Sequence, residues 1–217
     1  MTQNSPVKLV WATPDADRLV AYMARVSAPA NQDNDETADR LIGYLIRHRH
    51  WSPFEMVSAC VEIVTTRDIG RQLLRHRSFS FQEFSQRYAS VEALPPAPLR
   101  WARLQDAKNR QASTPTADAA LLEGWEQRQR AARDAAADAY RWALDNGIAK
   151  EVARAVLPEG LTASRLYMAG TLRSWLHFCD LRRGNGTQQE AREIADAAWA
   201  VIGAACPAIC KAWEASQ

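Results

Sequence analysis

From Met56 to Thr66 the chain keeps a two-residue step: Val57, Ala59, Val61, Ile63 and Thr65 fall on one side, and Met56, Ser58, Cys60, Glu62 and Val64 on the other. A step of two, rich in β-branched residues, belongs to an extended strand. A shorter apolar strand is expected at Val7 to Trp11. Most of the remaining chain has helical spacing. Leu19, Val20, Tyr22, Met23 and Val26 follow a cap at Asp15 or Asp17, and Leu41, Ile42, Leu45 and Ile46 mark a helix within Thr37 to Arg49. Asp68 to Arg75 reads as a short helix, Asp118 to Asn146 as a long one ending at Gly147, and Ile148 to Leu157 as another stopped by Pro158. Arg173 to Arg182, Gln188 to Ala205 and Pro207 to Ala215 complete the helices, with a turn at Gly184, Asn185 and Gly186. No element is assigned between Pro158 and Arg173.

The helix-heavy reading agrees with 39 Ala against 42 Leu, Ile, Val and Phe combined in 217 residues. That length fits one domain, or at most two small ones, with enough sequence for a core. Ala93 to Thr116 holds Pro95, Pro96, Pro98 and Pro115 among polar residues, so it reads as a variable insertion near 93–117 in a single domain spanning 1–217. Cys60, Cys179, Cys206 and Cys210 have no CxxC pairing and no His partner at metal spacing, and are expected to be reduced structural thiols. No apolar run approaches the roughly 20 residues that span a bilayer. The start, MTQNSPVKLVWATPDAD, lacks the layout of a signal peptide, so a cytoplasmic protein with no membrane partner is expected.

A net charge of +2 excludes a globally basic nucleic-acid coat, yet the basic residues are 23 Arg and only 4 Lys. Enrichment in both Ala and Arg is what a GC-rich genome produces, so only the placement of the arginines carries information. They are densest in RQLLRHRSFSFQEFSQRY, Arg71 to Tyr88, where Arg71, Arg75, His76, Arg77 and Arg87 accompany Gln82, Glu83, Ser78, Ser80 and Ser85. A helix leading into an extended segment anchored by Phe79, Phe81 and Phe84 would turn an Arg-rich face toward an anion such as phosphate. A solvated basic helix end, favourable to the helix dipole, is the plainer alternative.

Arg75-His76-Arg77, seven residues, and then Ser85 form the RHRxxxxxxxS pattern, and the chain resembles the flavin-dependent thymidylate synthases that carry it. MARVS at Met23 to Ser27, LIxYLxxHxHxSPFE from Leu41 to Glu55, ARxxLP within Glu151 to Pro158, RSWLHFCDLR and the QxE of Gln188 and Glu190 follow in family order. Only about Ala93 to Ala131 lies outside the likeness. It implies an α+β fold, a small, largely antiparallel sheet flanked by helices with a helix-rich C-terminal half. It also implies a homotetramer with active sites between subunits. The implied activity makes dTMP from dUMP, with 5,10-methylenetetrahydrofolate as carbon donor and NADPH as reductant through FAD, and without a cysteine nucleophile.

The resemblance further implies which residues act. Arg75, His76, Arg77, Glu83, Thr171, Arg173 and His177 would contact FAD, as would Ser52 from a neighbouring subunit. Gln72, Leu73, Leu74, Arg75, Glu83, Phe84, Ser85, Gln86, Arg87, Arg154 and Arg182 would line the dUMP site. Ser85 is a binding residue there, with no His-Asp pair arranged in sequence to activate it. Arg182 would be catalytic, a permanent cation opposing the anion that forms at N3 of the uracil ring. Gln82, Thr171 and Gly186 stand where the family often has Asn, Asn and His. Two other functions remain compatible with the sequence: flavin-dependent NADPH oxidation without methyl transfer, and an Arg-rich nucleotide- or RNA-binding protein. The arginines are not spread in a continuous stripe, which speaks against a nucleic-acid partner.

Overall fold

A computed structural model describes residues 5–184 and 186–217; Asn185, at the centre of the expected turn, lies outside them. The period-two run forms strand β2 (Ser58–Thr66), flanked on one side by β1 (Val7–Ala12) and on the other by β6 (Ala163–Thr171), with β3 (Ser80–Glu83) at the far edge. All three pairings are antiparallel. Strand β6 fills the gap left unassigned between Pro158 and Arg173. Leu166 and Met168 point into the core beside Ala59, Val61 and Ile63, while Arg165 and Tyr167 face the other way.

The helices are α1 (Ala16–Ala24), α2 (Ala38–Arg47), α3 (Arg67–Leu73), α4 (Ala119–Asp145), α5 (Lys150–Ala153), α6 (Leu172–Arg182), α7 (Gln189–Ala205) and α8 (Pro207–Glu214). Their apolar faces meet the sheet in one cluster that includes Val20, Ile42, Phe54, Trp175, Phe178, Ile194 and Ile209. Trp175 seals it by donating from its indole Nε1 to the Ala59 carbonyl at 3.1 Å. Asp15 stands at the start of α1 in the left-handed region (φ 51°) and makes no side-chain cap. Asp17 instead accepts from the backbone N–H of Ala208 (2.9 Å) and Ile209 (3.1 Å), capping α8 rather than its own helix.

Two expected elements differ. The helix over 148–157 shortens to α5 followed by a 3₁₀ turn at Arg154–Val156, because Gly147 turns the chain back with φ 77° and Pro158 stops it. The Pro-rich segment contains a small hairpin, β4 (Arg103–Gln105) with β5 (Ser113–Pro115). It is also tied down: Leu94 and Ala97 are buried against Ala163, and the Gln129 side chain of α4 both accepts from the Arg100 N–H (2.9 Å) and donates to its carbonyl (2.8 Å). Among the described residues no helix is long and apolar enough to cross a membrane.

Candidate functional site

The loop between α3 and β3 is held from below by an aromatic stack. His76 N–H donates to the Leu73 carbonyl (3.0 Å) and Phe79 N–H to the His76 carbonyl (3.2 Å), which coils residues 75–79 tightly. Phe79 then packs edge-on against Trp175 (ring centroids 4.8 Å apart) and Phe178 (5.9 Å). The space for its ring is vacated by Gly170, whose missing Cβ would stand 2.5 Å from Phe79 Cδ1. Because Phe79 is pinned, Arg75 and Arg77 are left exposed, and His76 lies half-buried with its ring edge-on to Phe178 at 4.9 Å.

Helix α6 closes the other side. Thr171 caps it, accepting from Ser174 N–H at 3.3 Å, and the Ser174 hydroxyl donates to the Ser78 carbonyl (3.3 Å), tying helix start to loop. At its last turn Arg182 donates from Nε to His76 Nε2 at 2.8 Å. An accepting Nε2 requires a neutral imidazole, and the surroundings enforce one: burial, then the charges of Arg182 and His177, hold the His76 pKa down at about 4. Burial, and then the charge of Arg75, lowers the pKa of Arg182. Among the described residues no carboxylate pairs with Arg75, Arg77 or Arg182. Unpaired guanidiniums gathered round a neutral histidine form a receptor for an anion.

Beside this group lies a cavity of about 430 Å³ between Trp51, Glu55, Ser78, Arg173, His177 and Trp213. Arg173 is ion-paired with Glu55, and Ser52 is exposed at the start of the 3₁₀ turn (Ser52–Glu55) that brings Glu55 there. A second basic group gathers on Glu151. Arg87 Nε meets Glu151 Oε2 at 3.3 Å, and Arg154 Nε donates to the Glu151 carbonyl (3.3 Å). Ser85 Oγ accepts from the Arg87 N–H at 3.4 Å, an ordinary turn contact, and among the described residues no histidine is hydrogen-bonded to it. Among the described residues no hydrogen bond or ion pair joins this group to Arg75, His76 and Arg182.

The other expected site residues point inward. Glu83 is enclosed by Arg67 (3.6 Å) and the Ser164 hydroxyl (2.8 Å), Leu73 belongs to the core, and Phe84 packs on Leu94, Ala97 and Ala163. Leu74 is partly buried, and Gln86 is only 3 % exposed, with its Nε2 lacking a partner. Gln72, on the last turn of α3, donates to Gln188 at 2.8 Å. The four cysteines are buried and free, and burial raises every thiol pKa, to about 12 at Cys206 and Cys210, so none is an available thiolate. Sequence reasoning missed Arg100 and Arg103, which reach the QxE pair from the Pro-rich segment. Their partners are too distant along the chain for any local pattern to announce them.

Residues 8–208 match the family of thymidylate synthase complementing proteins. The chain is 47 % identical over 199 residues to a probable flavin-dependent thymidylate synthase of Paramecium bursaria Chlorella virus 1, covering 92 % of this chain and 91 % of the relative. It is 46 % identical over 196 residues to the flavin-dependent thymidylate synthase of Synechocystis sp., covering 90 % and 88 %. Among solved structures it superposes with a TM-score of 0.83, at 30 % identity, on the UMP/dUMP methylase PolB of Streptomyces cacaoi bound with 5-Br dUMP, covering 96 % of this chain and 94 % of that one. Family match, relatives and fold coincide over nearly the whole chain, the Pro-rich segment included, and the chain belongs to the thymidylate synthase complementing protein family.

Proposed function

We propose that this protein is a flavin-dependent thymidylate synthase: an enzyme that methylates C5 of dUMP, with FAD as cofactor, NADPH as reductant and 5,10-methylenetetrahydrofolate as carbon source. The observation that carries the reading is Arg182 held by a neutral His76 with the charge of Arg75 close by, none of these arginines having a carboxylate partner among the described residues, and Arg77 exposed on the same loop. A fold that leaves the neighbouring guanidiniums of Arg75 and Arg182 without a carboxylate among the described residues suits anionic ligands, and a dinucleotide's pyrophosphate and a nucleotide's phosphate are such ligands. The donor set therefore fits FAD: Arg75, Arg77 and His76 from the loop, Arg173 and His177 from α6, and the cavity between them. When bound, FAD supplies the electrons that reduce the transferred carbon to a methyl group.

Arg182 stabilises the ionised pyrimidine. Its Nε is occupied by His76, which fixes the plane of the guanidinium and leaves its terminal NH₂ groups for the substrate. Arg87, Arg154 and Ser85 bind the nucleotide phosphate. Arg87 pairs with the exposed Glu151 carboxylate, a contact that costs little to exchange for a phosphate, and Arg154 meets only the Glu151 backbone carbonyl. The two groups act together across a subunit boundary in a homotetramer, as the resemblance implies. Leu9, Val10 and Trp11 on the edge strand β1, and Trp125 and Trp142 on α4, are each more than 40 % exposed and supply the apolar surface for such contacts. One domain carries the whole activity, in the cytoplasm, where four free thiols stay reduced.

Tritium release from C5-labelled dUMP tests the reaction. The purified protein is expected to be yellow and to release tritium in the presence of NADPH and methylenetetrahydrofolate, with dTMP formed in step. A colourless protein, or NADPH oxidation with no dTMP, would overturn it.

A further inference from the structure

We infer that Arg67, Glu83 and Ser164 form an internal pin that sets the register of the edge strand β3 against β6, and so places Ser85 and Arg87 for the nucleotide phosphate. The inference rests on the phosphate site proposed above, although every contact in the pin is internal to the chain. The Ser164 hydroxyl donates to Glu83 Oε1 at 2.8 Å, and the Arg67 guanidinium stands 3.6 Å from the same oxygen. The side chains of Arg67 and Glu83 are only 10 % and 18 % exposed, and Ser164 is fully buried. Among the described residues Arg67 pairs with no other carboxylate.

Each member is held by a different element. Arg67 opens α3, and its backbone N–H donates to the Thr162 carbonyl (3.0 Å), just before β6. Ser164 lies on β6 two residues before Leu166, the residue that faces Glu83 across the ladder. Glu83 ends β3, and the Phe84 N–H makes the next backbone bond, to the Arg165 carbonyl at 2.8 Å. A Cβ on Gly70 would stand 3.6 Å from Glu83 Oε1, so α3 closes directly over the carboxylate.

An ion pair this enclosed is a poor source of stability, because taking both charges out of water offsets most of their attraction, and apolar residues of similar size serve as well or better. What it supplies is a unique pairing. Strand β3 has four residues, pairs only with β6, and turns Phe81 and Glu83 inward while Ser80 and Gln82 face out. So short an edge leaves little to define its register, and a slip of one residue would bring Gln82 and Phe84 inward instead. A purely apolar contact tolerates that exchange, since Phe84 is itself apolar. A buried guanidinium does not, since Glu83 is the only acid in residues 80–84. The register matters because the turn follows at once: Tyr88 and Ala89 N–H both donate to the Ser85 carbonyl at 3.1 Å and Gln86 is buried, so Ser85 and Arg87 move as a unit with the end of β3. Arg67 and Glu83 are positioning residues, acting through that turn without touching the substrate.

Calorimetric titration of the flavin-loaded enzyme with dUMP, and with deoxyuridine, which lacks the phosphate, tests the pin. Arg67→Met should weaken dUMP binding about tenfold, the scale of one lost charge-assisted contact, and leave deoxyuridine binding unchanged. Arg67→Lys keeps the cation and should restore most of the loss. The decisive variant combines Arg67→Met with Glu83→Leu, which replaces the pair by apolar groups. Its urea midpoint should equal or exceed the parent's, while its preference for dUMP over deoxyuridine stays reduced and the Phe84 amide exchanges with solvent about tenfold faster or more. A merely structural pair predicts the reverse: stability, preference and amide protection all recover together in the double variant, and that result overturns the pin. Arg87→Met separates the pin from the site it serves and should lose the phosphate preference too. If it does while the double variant keeps the parent's preference, the pin is overturned and the phosphate site stands. An Arg87→Met protein that keeps the preference overturns the phosphate site, and the pin's role with it.

Discussion

Arg100 and Arg103 in the Pro-rich segment, and Arg75, Arg77 and Arg182 around the α3–β3 loop, are the same side chain under opposite conditions. The first two have carboxylate partners: Arg100 meets Asp68 at 2.7 Å and donates to the Thr66 hydroxyl, while its buried Nε is left without a hydrogen-bond partner, and Arg103 meets Glu190 at 2.7 Å. The fold supplies their counter-ions, so they fasten one part of the chain to another. Around the loop the described residues supply none, and one arginine spends a hydrogen bond on a neutral histidine instead. An arginine count cannot separate these roles. The presence or absence of a built-in carboxylate does.

The largest expected consequence of the difference is catalytic. Arg182→Ala should lower thymidylate formation by on the order of 10²–10³-fold, the range for losing one preorganised electrostatic contact. The protein should stay folded and yellow, because no internal ion pair is lost. Full turnover in that variant would remove Arg182 from the chemistry. Arg75→Lys should also weaken nucleotide binding, by about tenfold, since a compact ammonium cannot replace a planar fork.

At the carboxylate-paired arginines the expected loss is stability. Arg100→Met strands Asp68 and removes a charge near Glu190, whose side chains are 28 % and 20 % exposed. Breaking a fully buried pair costs about 3–5 kcal/mol, and partial exposure reduces that to about 2–3 kcal/mol, readable as a lower midpoint in urea. The exposed pair of Arg130 and Glu126 on α4 is the control, and Glu126→Gln should cost no more than about 0.5 kcal/mol. Equal losses at the two places would mean that the Pro-rich segment is not fastened as described.

What could be read in the sequence divides along the same line. Strand β2 and helices α2, α4, α6, α7 and α8 were legible because their patterns are local. Strand β6 has the same alternation, but Ala163, Ser164, Ala169 and Gly170 dilute it, and its shape is imposed by pairing with β2 and β3. Strands β4 and β5 have three residues each, too few for a period. The Arg75–Arg87 cluster is contiguous and was found, with the resemblance assigning its roles. The hydrogen bond from Gln72 to Gln188 spans 116 positions, and that from Arg103 to Glu190 spans 87. No spacing rule links such residues; only the folded chain brings them together. Nor could the sequence show that Glu83 and Leu73, inside the best motif, point into the protein.

The loop's dependence on packing gives a smaller effect. Gly170→Ala places a Cβ 2.5 Å from Phe79, whose ring cannot retreat because Trp175 and Phe178 stand behind it. Overpacking of this kind costs about 1–3 kcal/mol. Flavin affinity should fall with it, because Phe79 holds the segment bearing Arg75 and Arg77. Wild-type stability with wild-type flavin affinity would show that the loop has another support.

The smallest expected effect is a pH dependence. His76 ordinarily titrates near 6.5, and burial together with Arg182 and His177 lowers that to about 4 in the folded protein. Between these values the unfolded chain binds a proton that the folded chain refuses. His76 therefore contributes its full stability above about pH 6.5, loses it progressively as pH falls toward 4, and loses nothing more below. Replacing His76 with Phe should flatten that part of the stability profile while leaving the acid limb due to carboxylates. In the intact protein, a phosphate-bearing ligand placed between Arg75 and Arg182 offsets the positive field, so nucleotide should raise the His76 pKa. The imidazole carbon-bound protons seen by NMR report both shifts. A His76 that titrates near 6.5 without ligand would lack the burial and the neighbouring cation assigned to it, and the contrast between carboxylate-paired and waiting arginines would then have to exclude Arg182.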